Sequence, residues 1–78
     1  MKTMSCKQLG GACDRTFRAN TWEEMVELSK THGMEMFLAK DAGHLEAIGK
    51  MQTLMQDPTA MQKWFEGKKA EFEALKPD

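Results

Sequence analysis

The hydrophobic pattern of this 78-residue chain changes its period once, at Thr21. Upstream, from Thr3 to Ala19, apolar and polar residues alternate, the signature of strands with one buried face. Downstream, apolar residues recur at three- and four-residue steps, the signature of amphipathic helices. The expected class is therefore α+β: a two-stranded antiparallel hairpin over 3–19 packed on three helices (ββααα), in a single small domain spanning 1–78. A two-stranded hairpin is marginal alone, so its apolar face must lie on the helices.

Gly10-Gly11 reads as a two-residue turn. That register sets Cys6 opposite Arg15 and Met4 opposite Phe17. One face then carries Met4, Cys6, Cys13, Phe17 and Ala19, with Gln8 and Arg15 at its turn end. The other carries Ser5, Lys7, Asp14, Thr16 and Arg18. The two cysteines become diagonal neighbours on the inner face, whereas a three-residue loop would part them.

Thr21 with Glu24 three residues on forms a capping box and starts a helix expected over 21–39. Its stripe is Trp22, Met25, Val26, Ser29, Gly33, Met36 and Phe37. Gly33 either ends the helix in a left-handed cap or lies inside it under a close backbone. Continuation is favoured because Met36 and Phe37 stay on the stripe. Asp41 caps a second helix over 42–56, with His44, Ala47, Ile48, Met51 and Met55 aligned. Asp57 followed by Pro58 starts a third over 58–75, whose stripe is Met61, Trp64, Phe65, Lys68, Phe72 and Leu75. Core candidates are Trp22, Met25, Val26, Ile48, Met51, Trp64, Phe65 and Phe72.

Composition removes several function classes. Hydrophobic residues at 41% and charged residues at 29% describe a globular chain, not a disordered one. A net charge of -1, from 11 Lys+Arg against 12 Asp+Glu, leaves no electrostatic footprint for nucleic acid or an anionic membrane. No apolar run approaches the ~20 residues of a membrane span. The start MKTMSCKQLGG has no apolar stretch of the secretory kind, so the expected location is cytoplasmic. Thiols there stay reduced, which disfavours a disulfide. No Ser-His-Asp set, phosphate loop or HExxH is present, and Glu23 and Glu24 are accounted for by helix capping, so no enzyme is expected.

The chemistry that remains lies in Cys6, Cys13, His32 and His44. Six strand residues from Ala19 back to Cys13 cover about 20 Å. If the first helix folds back along the hairpin, His32 has travelled about 16 Å and returns to the level of Cys13. It lies about 80° from the stripe centre at ~100° per residue. His44 is on the inward stripe of the next helix. Two thiolates and two imidazoles converging at the hairpin tip would make a tetrahedral shell suited to Zn2+. The C-x6-C spacing is wider than the usual zinc pair, and the histidines are not paired on one helix. The competing reading makes the cysteines buried, inert, small hydrophobes. The chain would then be a non-catalytic interaction module, docking a partner or a second copy through its Met- and aromatic-rich helical faces. Most of the eight methionines fit helical stripes as core. Met34 beside His32 is the exception, and soft thioether and thiolate ligands together would suit Cu(I).

SCKQLGGACDRTFRANTWEEM, followed by a helix reaching Thr31-His32-Gly33, resembles a family of small bacterial and archaeal proteins of unknown function labelled predicted small metal-binding proteins. The resemblance covers roughly the first 35 residues through its S-C-K, G-x-C-D and E-E elements. It implies Cys6, Cys13 and His32 as ligands. The family helix carries a further histidine five residues before its His-Gly, where this chain has Glu27, and residues 34–78 extend past the family's usual length.

Overall fold

The computed structural model describes residues 1–78. Strands β1 (Lys2–Ser5) and β2 (Thr16–Ala19) form one antiparallel pair, followed by helices α1 (Trp22–Leu38), α2 (Ala42–Met55) and α3 (Pro58–Ala74). This is the ββααα order expected from the change of period. The strands pair Lys2 with Ala19, Thr3 with Arg18, Met4 with Phe17 and Ser5 with Thr16. Met4, Phe17 and Ala19 are buried while Thr16 and Arg18 are exposed, so the alternation was read in the right register.

The hairpin tip differs from a two-residue turn. Pairing stops at Ser5, and Lys7–Leu9 form a single 3-10 turn that Gly10 closes at φ 92. The Cys6 carbonyl accepts from the amides of Leu9 (3.1 Å) and Gly11 (2.8 Å), folding the loop around that carbonyl. Cys6 N–H still reaches the Arg15 carbonyl at 2.7 Å, but Lys7 N–H reaches the carbonyl of Cys13 at 3.1 Å. The register thus slips by one residue, and the exposed Asp14 is the extra one, as in a β-bulge. The physical reason is that the amides of Leu9, Gly10 and Gly11 find their partners within the loop, at the Cys6 and Lys7 carbonyls, with Gly10 supplying the left-handed residue that ends the turn. A Cβ on Gly10 would also crowd Met51 and Trp64 at 3.0 Å each.

Helix ends follow local chemistry. Thr21 Oγ1 accepts from Glu24 N at 3.2 Å, and Asp57 Oδ1 from Thr59 N and Ala60 N at 3.1 and 3.2 Å. Gly33 lies inside α1 with nothing within 4 Å of where its Cβ would be, so it is neither a cap nor a close approach. The left-handed residue at the end of α1 is Lys40 (φ 57), whose neighbour Asp41 donates its N–H to Met36 O at 3.1 Å. This closes the helix in Schellman fashion.

The apolar core joins Met4, Leu9, Phe17 and Ala19 to Trp22, Met25 and Phe72, with Cys6 at its edge. Trp22 stands 5.8 Å from Phe72 between ring centroids. Lys2 Nζ donates to the carbonyls of Phe72 and Glu73 at 3.1 and 3.0 Å, tying the end of α3 to β1. The expected core list is only partly right. Val26, Ile48, Met51 and Trp64 are half-buried, and Phe65 is 39% exposed. A short α2 packs between α1 and α3 with its outer side open, so one stripe per helix is more apolar surface than the interior takes. Leu9, absent from that list, is buried because the 3-10 turn swings it inward.

Phe17→Ala is expected to cost ~3–5 kcal/mol in chemical denaturation, as a buried aromatic truncation does. Thr16→Ala, on the exposed face, should change stability by about 0.5 kcal/mol or less. Equal losses at both positions would contradict the register.

Candidate metal centre

Three separate segments bring one cluster together. The tip loop supplies Cys6 and Cys13, the middle of α1 supplies His32, and the first turn of α2 supplies His44. Their four ligand atoms all lie within 4.8 Å of one another. Cys13 Sγ is 3.2 Å from His32 Nε2, and Cys6 Sγ is 3.6 Å from His44 Nε2. The rings of His32 and His44 meet edge to face, 5.2 Å apart at 81°. All four residues named from the sequence converge, His44 included, which the family resemblance did not imply.

The fit to a metal is a matter of edge lengths. A tetrahedron with metal–sulfur bonds of ~2.3 Å and metal–nitrogen bonds of ~2.0–2.1 Å has sulfur–nitrogen edges of roughly 3.6 Å. The Cys6–His44 distance of 3.6 Å equals that edge, and the Cys13–His32 distance of 3.2 Å is somewhat shorter. The four residues are positioned to hold a metal ion.

Supporting groups orient the ligands. Asp41 Oδ2 accepts from the His44 amide at 3.0 Å and contacts His44 Nδ1 at 2.6 Å. One carboxylate therefore caps α2 and fixes the imidazole with Nε2 toward the sulfurs, the carboxylate–histidine arrangement seen around metals. Sequence reasoning assigned Asp41 only the cap. The signal was the D-x-x-H spacing, which puts the histidine at the position whose amide the cap accepts. Gly11 is equally specific: a Cβ there would overlap Cys6 Sγ. His32 packs its ring on Phe17, with centroids 5.5 Å apart, and its Nδ1 is buried without a partner.

The electrostatics differ from ligand to ligand. Burial pushes the Cys6 thiol up, opposed by the amides of Cys13 and Ala12 directed at the sulfur. The Arg15 amide holds Cys13 down, helped by Cys6 and His44. Asp41 raises His44 against its burial, and the same contact lowers Asp41. His32 is lowered, first by burial and then by the Arg15 and His44 charges. Cys13 is thereby biased toward the thiolate, the form a metal accepts, whereas burial biases Cys6 toward the neutral thiol until a cation is present.

No family model, curated protein or solved structure matches this chain. Its site rests on its own geometry.

In metal-free protein the two histidines should titrate on opposite sides of the ordinary imidazole value, His44 above it and His32 below. Linkage then gives opposite slopes. The His44 contribution is present below the unfolded imidazole pKa and lost as pH rises through the raised folded value. The His32 penalty is absent above the unfolded value and grows as pH falls from there toward its lowered folded value. Asp41→Asn keeps a cap but removes the anion, so His44 should move down while His32 changes little. Imidazole NMR titration of both proteins measures this; a His44 that does not move would contradict the Asp41 contact.

Proposed function

We propose that this protein is a small zinc-binding module whose Cys6, Cys13, His32 and His44 form a closed four-ligand shell. The observation that carries the reading is the convergence of four ligand atoms from three segments within 4.8 Å. Two thiolates cancel the double charge of Zn2+, so the complex enters a buried site as a neutral unit, avoiding the cost of an unpaired buried charge. Mixed thiolate and imidazole donors match the softness of zinc, and four protein ligands leave no open position for substrate. The module is accordingly read as non-catalytic, holding metal for stability, buffering or sensing in a reducing compartment such as the cytoplasm. The resemblance of the first 35 residues to predicted small metal-binding proteins points the same way.

Elemental analysis of protein prepared without a histidine tag should find one zinc per chain. Cys6→Ser and Cys13→Ser should each abolish binding, and His32→Ala and His44→Ala should weaken it. A chelator should lower the melting temperature, and acidification should release the metal as the thiolates protonate. Metal-free protein whose melting curve ignores both chelator and added zinc would exclude the reading.

A second reading is favoured by one observation. Met34, Phe37 and Leu38 are exposed by 60, 49 and 72% and lie three and four residues apart on one side of the end of α1. This face would serve a partner or a second copy, with the thiols inert. Sedimentation should then report a dimer that Leu38→Glu converts to monomer. A monomer over a wide concentration range would remove the homodimer.

A further inference from the structure

We propose that the metal centre is also a thiol redox switch, in which a peroxide-class oxidant joins Cys6 to Cys13 and expels the metal. The proposal rests on the zinc reading above and adds its regulation.

The cluster divides the two cysteines by access. Cys6, His32 and His44 are buried at 6, 5 and 5% exposure, while Cys13 is half-buried. An oxidant in solvent therefore meets Cys13 first. The second sulfur is at hand, because both Sγ atoms lie within the same 4.8 Å cluster. The chain around them is tied together at the bulge, where the N–H of Lys7, next to Cys6, donates to Cys13 O at 3.1 Å. Closing a disulfide asks the sulfurs to move together inside one short loop that contains both residues, without moving α1 or α2. His32 and His44 are held on those helices and stay behind. Two imidazoles alone are half a shell, so metal affinity collapses once the thiolates are gone.

The chemistry balances. The Cys13 thiolate attacks one peroxide oxygen and the O–O bond breaks, leaving a sulfenic acid on Cys13 and hydroxide that takes a proton to become water. The Cys6 thiolate then attacks the Cys13 sulfur and displaces the second hydroxide, which leaves as water. The two thiolates lose two electrons, hydrogen peroxide gains two, two protons are drawn from solvent, and the metal ion departs. A reductant reverses the sulfur chemistry and restores the shell.

The test treats zinc-loaded, full-length protein with hydrogen peroxide while a chromophoric chelator reports free zinc. In parallel, diamide serves as a thiol-selective oxidant that spares the methionines. The expected result is release of one zinc per chain, in step with a Cys6–Cys13 disulfide in peptide mapping and a mass loss of two hydrogens. Adding a phosphine reductant and zinc should return the metal. Zinc retained through thiol loss, or released with only sulfinic acid or methionine sulfoxide and no Cys6–Cys13 disulfide, overturns the switch and leaves the zinc reading standing. Protein that takes up no zinc before oxidant is added overturns the zinc reading and the switch with it. In Cys6→Ser, where the resolving thiol is gone, a dimedone-trappable sulfenic acid should accumulate at Cys13. Its appearance at Cys6 instead, in Cys13→Ser, with none at Cys13 in Cys6→Ser, would overturn the order of attack.

Discussion

Two imidazoles and a thiol are buried side by side in a protein that buries little else. Ten residues are buried, and Cys6, His32 and His44 are three of them. Polar groups removed from water must find partners or destabilise the fold. The cluster answers this for most of its atoms: sulfur faces imidazole twice, and Asp41 holds the far nitrogen of His44. His32 Nδ1, not the nitrogen that contacts Cys13, is left without a partner. The four ligand atoms are nonetheless positioned to hold a metal ion.

The hairpin tip is shaped around that cluster. A plain Gly-Gly corner would have kept both strands in register and laid both sulfurs flat on the sheet face. The 3-10 turn and the one-residue slip instead fold the chain about the Cys6 carbonyl and bring both sulfurs against the two imidazoles. Gly11 makes room for Cys6 Sγ, and Gly10 both closes the turn and lets Met51 and Trp64 approach. Two adjacent glycines thus serve two different constraints, one steric and one conformational.

The remaining architecture is divided between two ends. The apolar cluster of Met4, Phe17, Ala19, Trp22, Met25 and Phe72 holds the strands against α1 and the end of α3. The cluster of sulfur and nitrogen holds the loop against α1 and the start of α2. Phe17 belongs to both, packing on His32 from the apolar side. Small domains with thin cores commonly add a metal, a disulfide or an oligomer interface. Here the thiol pair sits where a metal and a disulfide exclude one another.

Local chemistry made much of this legible from the residues alone. Alternation from Met4 to Ala19 set the strand faces, and Thr21 with Glu24 and Asp57 with Pro58 set two helix starts. Those features depend only on near neighbours in the chain, so sequence determines them. The form of the tip loop, the burial of Leu9, the exposure of Phe65 and the second role of Asp41 were decided in three dimensions. Each turns on which segment comes to lie against which: a glycine's turn depends on what crowds it, a stripe is core only if something covers it, and a capping carboxylate supports an imidazole only once that ring is turned inward. Chain-local energies choose the elements, whereas the meeting of four side chains from three segments is a property of packing, and packing is not written at any single position.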